Sequence, residues 1–203
     1  PELPGHNNDK FNSKFSLINY ANSIVLLILR NNLCNLVFFS HSVGGIIPIL
    51  IAKQMKQKNL IKKFFNYEGN LTEYDTDTIT KKTISYNMNE FDKKFNKLIG
   101  ICEQSSQSAI RLWSDSLKKT SSKAFYDLSK DTVFLSKKNI LLQFFRIFFR
   151  RKLYMFGSNS LLNFSKFFFG SERLILNNTG HFAFYDDKTK FLSIFLKLIY
   201  NCK

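Results

Sequence analysis

A serine stands at an abrupt change of pattern in the N-terminal part of the chain. The largely apolar run 35–39 (NLVFF) is followed by the letters SHSVG, and a helix-like pattern begins directly after them. A serine hydroxyl is a weak nucleophile, which must be exposed beside a general base before it reacts. A sharp turn between a strand and a helix can expose it when the neighbouring residues are small. Ser42 is therefore a candidate nucleophile, with the small residues Ser40 and Gly44 near it.

The general base that such a serine needs must come from few candidates, because the chain has only three histidines. They are His6, His41 and His181. His41 is the neighbour of Ser42 in sequence, so we expect its side chain to point away from that serine. His181 follows another apolar run, ERLILNN, and an imidazole there could accept the serine proton.

A carboxylate is the third requirement, since it orients the base and stabilises its charged form. Glu68 stands near the end of the run KKFFNYEGN and is one candidate for this acid. The same residue could instead simply close a Gly-Asn turn. Asp75 and Asp77 lie shortly after it and are the alternatives.

Apolar periodicity predicts the elements that must position these residues. Apolar residues at successive positions, as in NLVFF, are typical of a parallel sheet that is covered on both faces. The predicted order is helix 14–32, strand 35–39, helix 45–58, strand 62–70, a polar insertion 72–151, strand 152–157, helix 161–169, strand 172–178 and helix 188–200. This alternation predicts an α/β fold with a mostly parallel sheet flanked by helices. Pro48 lies beyond the first turn of helix 45–58, where it should cost a hydrogen bond or bend the helix.

In such sheets catalytic groups gather at the carboxyl ends of the strands. Ser42, Glu68 and His181 each follow a predicted strand, in that chain order. The pattern resembles the α/β-hydrolase fold, which has a G-x-S-x-G nucleophile elbow and a triad in the order serine, acid, histidine. The resemblance covers essentially the whole chain, because PELPGHNND, NYEGNLT, LYMFGSNS and NTGHFAFYDD are similar to further loops of that fold. Two departures are visible: Ser40 replaces the first glycine of the elbow, and the segment 157–160 (GSNS) lacks the acid that many members carry there.

The resemblance implies a serine hydrolase that acts on an ester or another acyl substrate. Ser42 would be the nucleophile, His181 the base and Glu68 the acid, while His41 would belong to the elbow. The backbone N–H of Val43 would be one oxyanion donor. Three parts of the chain would follow: a core part at 1–71, a helical lid at 72–151 and a second core part at 152–203. No cofactor and no metal ion would be needed.

The resemblance also implies that the chain is the C-terminal part of such a fold, lacking its first four strands and the second oxyanion donor. The strand NLVFF would then be an exposed apolar edge. The chain could thus be an inactive fragment. A non-catalytic protein that binds a small molecule or a partner in the same pocket is the alternative.

The charge and the cysteines of the chain limit the partners and the compartment that we expect. The chain carries 30 Lys and Arg against 15 Asp and Glu, a net charge of +15, but its lysines are scattered and it has no RNA-binding motif, so we expect no specific nucleic-acid partner. Cys34, Cys102 and Cys202 are far apart and lack C-x-x-C spacing, which fits a reducing compartment and predicts a cytoplasmic protein.

The end of the lid, FFRIFFRRK, mixes aromatic and basic residues. It could therefore touch a membrane or a lipid chain, or pack as an ordinary amphipathic helix.

Overall fold

Four parallel strands form the sheet in the computed structural model, which describes residues 3–8, 10–11, 16–55, 60–76, 79–160 and 173–200. The strands are β1 (Leu36–His41), β2 (Ile61–Tyr67), β3 (Lys152–Gly157) and β4 (Arg173–Leu176). They lie in the order β1-β2-β3-β4, and each adjacent pair is parallel. The predicted α/β fold with a parallel sheet is confirmed. All four carboxyl ends therefore meet at one edge of the sheet, as the candidate site requires.

The helices flank this sheet and fill the connection between β2 and β3. They are α1 (Leu17–Arg30), α2 (Ile47–Met55), α3 (Thr80–Ile84), α4 (Met88–Glu103), α5 (Ser108–Lys118), α6 (Ser122–Ser136), α7 (Ile140–Phe148), α8 (Ala183–Asp186) and α9 (Lys188–Tyr200). Helices α3 to α7 all fall within the predicted insertion 72–151. The predicted helix 161–169 lies outside the described residues. In the described part of the chain, every helix is too short or too polar to cross a bilayer.

Two apolar layers cover the sheet, because successive side chains of a strand point to opposite faces. Phe64 of β2 packs in the layer that contains α1, α2 and α7. Phe65, the next residue, packs in the opposite layer against Leu198 and other residues of α9. Burial on both faces explains why β2 is apolar at successive positions.

Strand β1 differs from its prediction as a buried strand. It lies at the edge of the described sheet, and five of its six residues are half-buried while Val37 is exposed. Among the described residues no strand pairs with its outer side. An edge position for this strand was expected, and it accounts for the exposure of Val37.

The expected effect of Pro48 is wrong, because the helix begins later than predicted. A 3-10 turn, Ser42–Ile46, joins β1 to α2, and Pro48 is only the second residue of α2. The N–H of Ile47 donates to the Gly44 carbonyl, which an α-helical N–H at position 48 would otherwise have used. Proline is tolerated in a first helical turn, where its missing donor costs nothing.

Candidate active site

Ser42 occupies a strained turn at the end of β1. Its φ is 53°, a left-handed value that residues other than glycine seldom adopt. The residue directly follows the strand and begins the 3-10 turn, and it lines a cavity. Strain of this kind persists only where the surrounding structure enforces it, and the nucleophile elbow is a known case.

The glycine that allows the close approach in this elbow is Gly45, not Gly44. A methyl group added at Gly44 would meet no atom within 4 Å. The same group at Gly45 would collide with the Asn66 side chain and the Gly69 backbone, both from the neighbouring strand and its loop. The elbow therefore packs against the end of β2 through Gly45, and the second glycine of the G-x-S-x-G pattern has no steric role here.

Glu68 directly follows β2 and is held rigidly. Its φ is 44°, its own N–H donates to the Met155 carbonyl at 2.8 Å, and its side chain is only 1% exposed. One carboxylate oxygen, Oε1, accepts the N–H of Gly157 at 2.9 Å. The segment 157–160 thus supplies a hydrogen-bond donor to the acid rather than an acid of its own. Any side chain at Gly157 would strike the Thr179–Gly180 backbone, so this approach requires glycine.

His181 meets the other oxygen of this carboxylate. Its Nδ1 lies 2.7 Å from Glu68 Oε2, and 39% of its side chain remains exposed. A carboxylate only accepts, so the hydrogen bond puts the proton on Nδ1 and leaves Nε2 free to accept another. This is the tautomer that a general base in a triad requires.

The alternative acids stand apart from this contact. Asp75 also lines the cavity, but its Oδ2 accepts the N–H groups of Leu71 and Thr72, both at 2.6 Å. That geometry closes the loop after Glu68 rather than orienting an imidazole. Asp77 lies outside the described residues.

Ser42 and His181 open into one cavity of about 680 Å³, a size typical of small-molecule sites. Val43, which follows Ser42 at the start of the 3-10 turn, also lines it; N–H groups in a first helical turn lack partners within the helix. Much of the remaining wall is apolar and comes largely from the insertion, with Ile79, Ile110, Trp113, Phe125 and Leu128. Trp113 packs against Phe182, the residue after His181, at 5.4 Å between ring centroids.

The described residues include no cluster of three or more His, Cys, Asp or Glu side chains that could hold a metal ion.

His41 lies closer to the base than its place in the sequence suggested. Its ring lies against His181, with 4.5 Å between centroids, and both rings line the cavity. Its Nε2 lies 2.8 Å from the His181 carbonyl oxygen and must donate to it. Nothing in the sequence pattern reveals this bond, because it joins residues 140 positions apart.

The protonation of His41 predicts how the free energy of unfolding depends on pH. Burial, and next the charge of the neighbouring His181, lower the pKa of His41 from 6.5 to about 3, against the opposing effect of its hydrogen bond. Between these two values the unfolded chain binds the proton and the folded chain does not. The free energy of unfolding should therefore fall as the pH drops from 6.5 to 3, by at most about 1.4 kcal/mol per pH unit from this group.

Urea unfolding at a series of pH values would measure this contribution. The control is His41→Gln, which lacks the titrating group, so its unfolding free energy should depend less steeply on pH within that window. Identical slopes for the two proteins would show that His41 is not held neutral by the fold.

Comparison with known proteins finds similarity in structure only. No family model and no curated protein sequence matches the chain. A carboxylesterase structure from the thaumarchaeon Nitrososphaera gargenis matches with a TM-score of 0.72 and 13% identity, over 98% of this chain and 77% of that one. MenH from S. aureus matches with a TM-score of 0.71 and 12% identity, over 98% and 82%. The N-acyl homoserine lactonase AidH matches with a TM-score of 0.69 and 15% identity, over 100% and 78%.

These structures share the α/β-hydrolase fold, and each aligns with nearly all of this chain. The parallel sheet with helices on both faces agrees with that arrangement. This chain therefore has the α/β-hydrolase fold.

Proposed function

We propose that the chain is a serine hydrolase that cleaves an ester or a related acyl bond with Ser42, His181 and Glu68. The observation that carries the proposal is the 2.7 Å hydrogen bond between His181 and the buried Glu68, beside a cavity that Ser42 also lines. The left-handed φ of Ser42 supports it, because an elbow serine is held in that conformation. Structures similar to this chain include carboxylesterases and a lactonase, which supports a hydrolase in general.

In the first half of the reaction, Ser42 Oγ attacks the substrate carbonyl carbon while His181 Nε2 takes the serine proton. The imidazolium that forms is stabilised by the Glu68 carboxylate. The carbonyl oxygen becomes an oxyanion, and the N–H of Val43 donates to it. When the tetrahedral intermediate collapses, the bond to the leaving alcohol breaks and His181 returns the proton to that alcohol.

In the second half, water replaces the alcohol. His181 Nε2 takes a proton from the water as its oxygen attacks the acyl carbon bound to Ser42. Collapse of the second intermediate breaks the Ser42 ester bond and returns the proton to Oγ. The products are a carboxylic acid and the free enzyme.

The cavity favours an acyl group that is apolar. Its outer wall is formed by Ile79 and by side chains of α5 and α6, including Ile110 and Leu128. We infer that this part of the insertion acts as a lid, which holds the acyl chain and excludes water from the reacting carbonyl.

Hydrolysis of p-nitrophenyl acetate, butyrate and octanoate tests this proposal. We expect turnover by the wild-type chain and a loss of at least about 10³-fold in kcat for Ser42→Ala, because the nucleophile is gone. Ser23→Ala is the control, since Ser23 is an exposed serine on α1 whose hydroxyl donates to the Asn19 carbonyl of its own helix rather than lining the cavity. Equal rates for wild type and Ser42→Ala, or no turnover by the folded chain, would contradict it.

We also infer a membrane contact at helix α7. Leu141, Leu142 and Phe145 form its buried face, but Ile147 is 68% exposed and Ile140 is exposed as well. Positions 140 and 147 lie on one side of a helix. The segment 134–151 contains five Lys and Arg residues and no Asp or Glu, so this apolar face belongs to a segment of net positive charge. Such a surface suits anionic lipid headgroups.

Co-sedimentation with vesicles tests the contact. We expect binding to phosphatidylcholine vesicles that contain phosphatidylserine, weakening with salt, and little binding to phosphatidylcholine alone. Arg150→Ala should weaken binding roughly fivefold, because each basic residue near such a surface contributes about 1 kcal/mol. Ile147→Ser should weaken it too, whereas Ile101→Ser should not, although Ile101 on α4 is 59% exposed. Equal loss in both isoleucine variants would mean that α7 is not the contact.

A further inference from the structure

Several side chains hold the backbone of the loop that carries His181, and two of them bind the carbonyls of Gly180 and His181. We call residues 177–182, between β4 and α8, the base loop. His41 Nε2 donates to the carbonyl of His181 at 2.8 Å, and Tyr67 Oη donates to the carbonyl of Gly180 at 2.6 Å. Two consecutive carbonyls of the base loop are thus held from outside it.

The two donors occupy equivalent positions in the sheet. His41 is the last residue of β1 and immediately precedes Ser42. Tyr67 is the last residue of β2 and immediately precedes Glu68. The two are paired in the register of the adjacent strands. The residues before the nucleophile and before the acid therefore both anchor the loop of the base.

Both donors are held in place and can keep donating to the base loop. Tyr67 is fully buried, and burial raises the pKa of its hydroxyl, so the proton remains available for donation. The half-buried imidazole of His41 packs against the rings of His181 and Phe184, with centroid distances of 4.5 and 5.1 Å. Rotamer freedom is small for rings packed in this way, so the two hydrogen bonds fix the loop at little further entropic cost.

We propose that His41 and Tyr67 are positioning residues, which set the distance and angle between His181 and Ser42 by clamping the base loop at Gly180 and His181. The inference rests on the proposed function for its meaning in catalysis. The bond between His181 and Glu68 fixes one nitrogen of the imidazole, and the N–H groups of Asn178 and Gly180 bond Ser158 and Asp186 earlier in the loop. The clamp adds a hold on the carbonyls of Gly180 and His181 themselves, next to the imidazole. A misplacement of about 1 Å in a reacting group can cost about 10²-fold in rate.

Kinetics of four variants tests the clamp. Tyr67→Phe and His41→Leu each remove one donor, and each should lower kcat by about 10- to 10²-fold with little change in KM. His41→Gln retains an N–H donor of similar reach and should recover most of the lost kcat. Tyr154→Phe is the matched control, because Tyr154 is an equally buried tyrosine whose hydroxyl donates to the Gly69 carbonyl and not to the base loop. It should retain wild-type kcat even if its stability falls.

A second measurement separates the clamp from the proposed function. The Nδ1 proton of His181, bound to Glu68, should give a downfield NMR signal whether or not the chain turns over an ester. We expect this signal to be broadened or lost in Tyr67→Phe and His41→Leu and kept in Tyr154→Phe. If the signal and kcat persist in both donor variants, or if His41→Gln is as impaired as His41→Leu, the clamp is refuted. An inactive wild-type chain whose signal still depends on both donors would refute only the proposed function.

Discussion

Glu68→Gln is expected to lower kcat by about 10⁴-fold while the protein remains folded. The amide oxygen of the new side chain can still accept the Gly157 N–H, as Glu68 Oε1 does at 2.9 Å. The amide NH₂ then faces His181 Nδ1 and turns that nitrogen into an acceptor. The proton moves to Nε2, and His181 can no longer take the proton of Ser42.

Asp75→Asn is the matched control for this prediction. Asp75 also lines the cavity, and its Oδ2 accepts two backbone N–H groups, a role that the oxygen of an asparagine can keep. We expect kcat within a few-fold of wild type, measured with the same p-nitrophenyl ester. A large loss in Asp75→Asn together with full activity in Glu68→Gln would assign the acid to Asp75.

His181→Ala is expected to lower kcat on the order of 10⁶-fold, about as much as the loss of the nucleophile itself. The variant removes the group that accepts and returns every proton in the reaction. It also leaves the Glu68 carboxylate beside an empty space, so added imidazole should restore part of the rate. Stopped assays with and without imidazole measure both effects.

His6→Ala provides the comparison for that result. His6 lines the same cavity, but its Nδ1 lies 3.3 Å from the Pro4 carbonyl, whereas the Glu68 carboxylate meets His181. Its loss should therefore cost far less than the loss of His181. Equal losses in the two variants would leave the identity of the base open between them.

Much of the fold could be predicted from the sequence, because the local pattern of apolar residues indicates the strands and helices and their order. Runs of successive apolar residues indicated a sheet covered on both faces, and Phe64 and Phe65 do pack into opposite layers. In a parallel sheet the carboxyl ends of all strands share one edge. For that reason the order of the elements was enough to place Ser42, Glu68 and His181, each following a strand, near one another.

Other features depend on contacts that a local pattern does not encode. The bonds of His41 and Tyr67 to the base loop join residues 140 and 113 positions apart, so no spacing signals them. The glycine requirement at Gly45 arises from Asn66 and Gly69, which belong to another strand and its loop. The expected bend or lost hydrogen bond at Pro48 is wrong because a 3-10 turn delays the start of α2, and that turn depends on the geometry of the elbow.

Labelling with a fluorophosphonate probe tests the central claim most directly, since such probes form a stable bond only with an activated serine. The wild-type chain and Ser42→Ala would be treated in parallel, digested and analysed by peptide mass spectrometry. We predict a single adduct on Ser42 in the wild type, its absence in Ser42→Ala, and a much slower adduct in His181→Ala. A folded wild-type chain that remains unlabelled, or that is labelled at a serine other than Ser42, would contradict the assignment of this site as a serine hydrolase centre.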